Sequence, residues 1–252
     1  MRVRRSRRKI SKQPGPQPFR PSSAIGIGVA ALAAAPASAA TFTVSSLNDS
    51  GAGTLRQAIV DANTAAGPDV ITFQAGLTGT ILLTSGQLEI YDSVDVQGPG
   101  AAVISVSGNN SSRVFYLYDG GATLDVRIAG LTITQGFDTI GAGVVNFDEN
   151  LTLDGVTITG NNAQGDGGGL WADGFSMNLT ILNSTISGNT SGGDGGGIYV
   201  EDTGGPLTIT NSTITGNSAT AAGGGIYLYD PDDNVIIRDT TISGNTAGSL
   251  GG

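Results

Sequence analysis

From about residue 150 onward, the apolar residues of this chain fall in short alternating runs that return at a fixed interval. Leu151-Thr-Leu153, Leu179-Thr-Ile181, Leu207-Thr-Ile209 and Val235-Ile-Ile237 lie 28 residues apart. Ile158-Thr-Gly-Asn161, Ile186-Ser-Gly-Asn189, Ile214-Thr-Gly-Asn217 and Ile242-Ser-Gly-Asn245 keep the same period, as do the triplets Gly167-Gly-Gly-Leu170, Gly195-Gly-Gly-Ile198 and Gly223-Gly-Gly-Ile226. Looser copies precede them at Val126-Arg-Ile128 with Ile133, and at Val103 to Asn109.

Period-two alternation in runs bounded by Gly and Asn predicts strands. Three such runs and three turns fill each 28-residue unit and leave no room for helices. Strands of successive units would stack in parallel, about 4.8 Å apart. Three inward ladders follow: Ile158, Ile186, Ile214 and Ile242; Leu170, Ile198 and Ile226; and Leu153, Ile181, Ile209 and Ile237. Each unit buries its apolar face only against its neighbours. A propeller blade needs longer strands and about 40 residues or more, and a leucine-rich repeat needs Leu-x-x-Leu-x-Leu runs that do not occur here. The pattern predicts an all-β chain, a right-handed parallel β-helix with three-stranded coils.

An open solenoid end needs a cap. Residues 54–66 provide one: Thr54 and Gln57 have capping-box spacing, Leu55, Ala58, Ile59 and Ala62 share one helical face, and Gly67-Pro68 is a stop signal. The expected organisation is a leader over residues 1–40, an N-terminal cap over 41–75 and β-helix coils over 76–252. The next glycine triplet is due at position 251, so the chain reads as a fragment cut within a coil.

Charge alters the picture at the N-terminus. Eight of the 12 Lys and Arg residues lie in residues 1–20, whereas all 21 Asp and Glu residues lie after residue 40. Against those 21, only Arg56, Arg113, Arg127 and Arg238 remain, a net charge of −17 that disfavours nucleic acid and anionic lipid. The basic segment (Arg4, Arg5, Arg7, Arg8, Lys9, Lys12), the short apolar run Ala24 to Ala35 and the small-residue signal Ala37-Ser38-Ala39 together form a signal peptide. The run is too short for a membrane span. Cleavage is expected after Ala39 or Ala40, with export to the cell exterior or surface. Ser6-Arg7-Arg8-Lys9-Ile10-Ser11-Lys12 resembles the twin-arginine export motif, so both that route and the general secretory route stay open. The chain has no Cys and no His, which removes disulfides, thiolate chemistry and the usual triad base.

The segment Asn48-Asp-Ser-Gly-Ala-Gly-Thr-Leu-Arg-Gln-Ala-Ile-Val-Asp-Ala-Asn63, with Asp69-Val-Ile-Thr-Phe73, resembles the N-terminal cap of secreted bacterial β-helix proteins carrying the CSLREA segment, without its Cys and with Gln57 for Glu. The Gly-Gly-Gly-Ile and Ile-x-Gly-Asn repeats are similar to those of chlamydial polymorphic outer membrane proteins, with Ile in place of Phe. The resemblance implies a pectate-lyase-like solenoid in a large surface or secreted protein, an adhesin or autotransporter passenger. It implies outer-membrane attachment where a barrel follows.

Four sets of residues are candidates for chemistry. Asn161, Asn189, Asn217 and Asn245 would stack as a structural amide ladder and tolerate the left-handed turn. Trp171, Tyr199 and Tyr227 share one strand column and would point outward, either as a carbohydrate-stacking row or as a ladder stiffening the sheet. Asp173, Glu201, Asp202, Asp230, Asp232 and Asp233 gather just beyond them, with Asp166 and Asp194 as a second row. These carboxylates would either bind Ca²⁺, the one cofactor the pattern suggests, or be solvated turn residues. The glycine triplets are turns and not a phosphate loop, since no Gly-Lys-Ser/Thr follows.

Three functions fit: a non-enzymatic surface β-helix meeting polysaccharide or a host or neighbouring cell; a polysaccharide lyase or hydrolase; and a Ca²⁺-dependent carbohydrate-binding module. The near-uniform repeat favours the first, because catalysis needs a unique preorganised site. Arg127 and Arg238 are the base candidates for a lyase, and they stand four coils apart in different columns.

Overall fold

The computed structural model describes residues 38–252, apart from residues 122, 176 and 231–233 and the side chain of residue 203. Among them, every strand pairing is parallel, and the strands build four sheets along one axis. The first sheet has eight strands, from Thr41–Val44 to Val235–Arg238; the second has seven, from Gly79–Leu82 to Thr241–Ser243; and the third has six, from Leu88–Ile90 to Ile226–Tyr229. This is the predicted β-helix.

The three predicted ladders pair in the predicted register: Ile158 with Ile186, Leu170 with Ile198, and Ile181 with Ile209. All six side chains are fully buried. In the last coil, which has a neighbour on one side only, Ile237 and Ile242 are 41% and 44% exposed.

Two expectations need correction. From residue 137 onward each coil carries a fourth strand of two residues, Phe137–Asp138 through Thr246–Ala247, which turns Ala163, Ser191 and Ala219 inward. Two residues are too few to show alternation in a sequence. The coil length is also not constant. Successive strands of the first sheet are offset by 29, 25, 32 and 25 residues (Thr41 to Val70 to Asp95; Val94 to Val126 to Leu151) before the spacing settles at 28.

The capping helix α1 is Leu55–Ala62, shorter than predicted, and buries Leu55, Ala58, Ile59 and Ala62. Thr54 caps it by accepting from the Gln57 N–H at 3.2 Å. The capping box does not close, because Gln57 Nε2 donates forward to Asp61 Oδ1 at 2.8 Å. The helix stops where the Asn63 side chain is taken up by the neighbouring coil: Nδ2 donates to Glu89 O at 2.8 Å and Oδ1 accepts from Tyr91 N–H at 2.9 Å. A buried clamp locks this end. Asp49 accepts from Arg56, Thr84 and Ser85, while Arg56 also donates to the carbonyls of Gly86 and Gln87. Burial alone would raise the Asp49 carboxyl, but the Thr84 amide, Arg56 and Ser85 together hold it below its ordinary range. Asp49 and Arg56 both belong to the cap-like segment 48–63.

Candidate functional site

The asparagine column lies inside the solenoid wall. Asn161, Asn189 and Asn217 are buried, and each Nδ2 donates to the Oδ1 of the next, at 2.9 Å for Asn161 to Asn189 and 2.9 Å for Asn189 to Asn217. None of these asparagines takes the left-handed conformation. It is taken by the preceding glycines, such as Gly188 at φ 62°, and by Asn183, Asn211 and Asp239 in a different corner.

The aromatic column points away from the main core, but it is not open. Trp171 and Tyr199 are 6% and 7% exposed, and Tyr227 is half-buried. Their rings stack along the axis: Trp171 on Tyr199 at 6.4 Å and 2°, and Tyr199 on Tyr227 at 5.4 Å and 14°. The glycine triplets account for this cover. A Cβ built on Gly167, Gly195 or Gly223 would come within 2.7 Å of the Cβ of Trp171, Tyr199 or Tyr227, so the bare turn lies directly against each ring's base. The expectation of exposed rings is thus corrected for Trp171 and Tyr199.

The aromatic surface that does open lies further toward the N-terminus. Tyr116 and Val145 continue the column, and Phe147 leans onto Trp171 at 4.7 Å. Tyr116, Tyr118 and Phe147 meet edge to face at 5.8–6.4 Å and line a hollow of about 340 Å³, with Tyr118 46% exposed. A second hollow of about 330 Å³ adjoins it, lined by Tyr118, Phe147, Asp148, Glu149 and the turn at Gly120, Gly121 and Thr123. Sequence reading missed Tyr116, Tyr118 and Phe147, because they lie where the repeat length is irregular. The signal was the alternation Phe115-Tyr116-Leu117, which matches Val144-Val145-Asn146 across a 29-residue step.

Carboxylates border this region. Asp173 is pushed up by partial burial and by the charges of Glu201, Asp202 and Asp148. Glu149 is also raised, chiefly by burial, although its oxygens accept the Leu124 and Asp119 amides. Asp202 and Asp230 adopt left-handed turns, at φ 41° and 46°. Asp232 and Asp233 lie outside the described residues. Among the described residues, no three acidic groups cluster closely enough to hold one metal ion. The Asp166 and Asp194 row is engaged with the backbone: each Oδ1 accepts an amide from the next coil, Asp194 N–H at 2.7 Å and Ala222 N–H at 2.6 Å.

On the first sheet, Arg127 has partners that its sequence position conceals. It bridges Asp95 at 2.9 Å and Asp154 at 2.8 Å, one coil to either side. Their separations of 32 and 27 residues hide the alignment. The hydrogen bond to Asp154, and then that to Asp95, raises the Arg127 pKa, so this guanidinium is held charged. Among the described residues, no helix is long and apolar enough to cross a membrane.

Residues 72–250 match the family model described as a right handed beta helix region. No curated protein matches the chain.

Proposed function

This chain belongs to the right-handed β-helix family, and from that premise we propose that it acts outside the cell as a non-enzymatic adhesive scaffold whose lateral aromatic face contacts carbohydrate. The single observation that carries the reading is the Tyr116–Tyr118–Phe147 hollow beside Asp148 and Glu149. Aromatic faces stack on the apolar faces of sugar rings, and the exposed Asp148 carboxylate lies within reach of ring hydroxyls, whereas Glu149 is buried and its oxygens hold the Asp119 and Leu124 amides. The ring stack from Trp171 through Tyr199 to half-buried Tyr227 stiffens the sheet next to that hollow. The basic, apolar and small-residue leader supports export, and the resemblance of the cap and repeats supports a surface or secreted protein of the passenger or stalk type.

Arg127 favours the scaffold over a lyase. A guanidinium fixed between two carboxylates is stabilised in its protonated form, the wrong state for a base. A hydrolase reading rests on the raised carboxyl of Asp173, paired in the sheet with Phe147 of the hollow, since a general acid needs such a shift.

The ring of Trp171 lies 4.7 Å from that of Phe147, so its fluorescence should report occupancy of the hollow. Soluble plant, bacterial and animal polysaccharides are titrated into the full chain. The expected result is a saturable emission change that Tyr118→Ala abolishes. A flat response to every glycan would defeat the carbohydrate reading, and release of new reducing ends would replace the scaffold with a hydrolase.

A further inference from the structure

Asp69 opens the second strand of the first sheet and is only 1% exposed. Its Oδ1 accepts the Ala40 N–H at 2.7 Å. Its Oδ2 is buried and has no hydrogen-bond partner among the described residues. A carboxylate withdrawn from water and given one neutral donor is poorly compensated. Ala40 itself is fixed from both ends: its carbonyl accepts the Val70 N–H at 2.9 Å, and it leads directly into the strand Thr41–Val44. The two preceding residues, Ser38 and Ala39, are exposed.

The Ala37-Ser38-Ala39 signal puts a scissile bond between Ala39 and Ala40. We propose that Asp69 is the receptor for the N-terminus released at that bond. A peptidase specific for small residues breaks the Ala39–Ala40 C–N bond with one water. Hydroxyl goes to the Ala39 carbonyl carbon and hydrogen to the Ala40 nitrogen; at neutral pH the new carboxyl loses a proton and the amine gains one. The nitrogen that becomes charged is the one already 2.7 Å from Asp69. An amide offers one donor there, whereas an ammonium offers three and a full positive charge. One donor keeps Oδ1, another serves the orphaned Oδ2, and the charge offsets the buried carboxylate.

The same geometry chooses between the two cleavage positions. Cutting after Ala40 would remove both contacts, leaving Asp69 Oδ1 without the Ala40 N–H and the Val70 N–H without the Ala40 carbonyl. Cutting after Ala39 keeps both contacts and strengthens one. The neighbourhood favours a protonated amine. Asp95, Asp125 and Arg127 line the groove beside Asp69, with Arg127 engaged by Asp95 and Asp154, and Asp61 lines the hollow on the helix side of Thr41. Processing would therefore lock the first strand onto the sheet. This inference rests on the leader reading of residues 1–40 and is independent of what the aromatic face binds.

The full chain is expressed in an exporting cell, and the N-terminus of the recovered protein is read by mass spectrometry. The pKa of its α-amine is then measured from the pH dependence of reductive methylation. We expect a chain starting at Ala40, with an amine pKa raised by at least about one unit over the ordinary value of about 7.7–8.0. Asp69→Asn should return the amine to its ordinary range and lower the melting temperature; if that variant is not recovered folded, the unsubstituted protein's amine decides alone. A chain starting at Ala40 with an ordinary amine overturns the pairing and leaves the cleavage reading intact. A chain keeping Met1 or starting at Thr41 overturns both.

Discussion

Asn189 donates from Nδ2 to Oδ1 of Asn217, 28 residues along the chain and one coil along the axis, at 2.9 Å, and its backbone N–H reaches the same oxygen at 3.0 Å. The same Nδ2 also donates to the Ile158 carbonyl at 2.9 Å, and the Asn189 Oδ1 receives the N–H and Nδ2 of Asn161. One buried amide thus serves three coils.

Asn189→Ala should destabilise the protein by about 3 kcal/mol, because it strands the Asn161 amide and the Ile158 carbonyl in a dry wall. Asn245→Ala, in the less buried last coil, should have a smaller effect. Thermal melts of the two variants check this; equal, negligible shifts would argue against an energetic role for the ladder.

Two glycines should fail for different reasons. At Gly196 a Cβ would lie 2.5 Å from the Ser218 backbone and 2.6 Å from the Gly224 carbonyl, so Gly196→Ala should cost about 3 kcal/mol or more. At Gly188 the nearest atom is 3.8 Å away and only the positive φ of 62° is at stake, so Gly188→Ala should cost about 1–2 kcal/mol. Chemical denaturation of the pair would reveal the order, and a reversed order would contradict the packing described.

The cap should set part of the acid limit. Asp49 has a depressed folded pKa, so its contribution is present above the unfolded value of about 3.9 and is lost as pH falls through the folded value. Asp154 has the same sign, held low by Asn183 and then Arg127. Asp173 acts oppositely: its raised pKa subtracts stability as pH climbs from the unfolded value through the folded one. Asp49→Asn should lower stability at pH 7 and flatten the decline below about pH 4. Stability measured from pH 2 to 8 tests this, and an unchanged acid slope would count against the clamp.

Arg127→Gln should change stability by no more than about 1 kcal/mol, since both of its ion pairs are partly solvated, and the loss should shrink in high salt. A loss of several kcal/mol would contradict a solvent-screened bridge across three neighbouring coils.

The sequence by itself determined the solenoid, its three main ladders and the amphipathic cap. These depend on side-chain alternation and a 28-residue period, and both are local properties that stacking repeats without change. Tertiary structure decided what the period could not carry. Coils of unequal length brought Arg127 between Asp95 and Asp154, and Tyr116 into line with Val145 and Trp171. The bare glycine turns buried Trp171 and Tyr199, which alternation alone placed on the outside. Only the fold set the Ala40 nitrogen against Asp69, 29 residues away, because a contact across the sheet depends on which coils are neighbours and not on what either segment says alone.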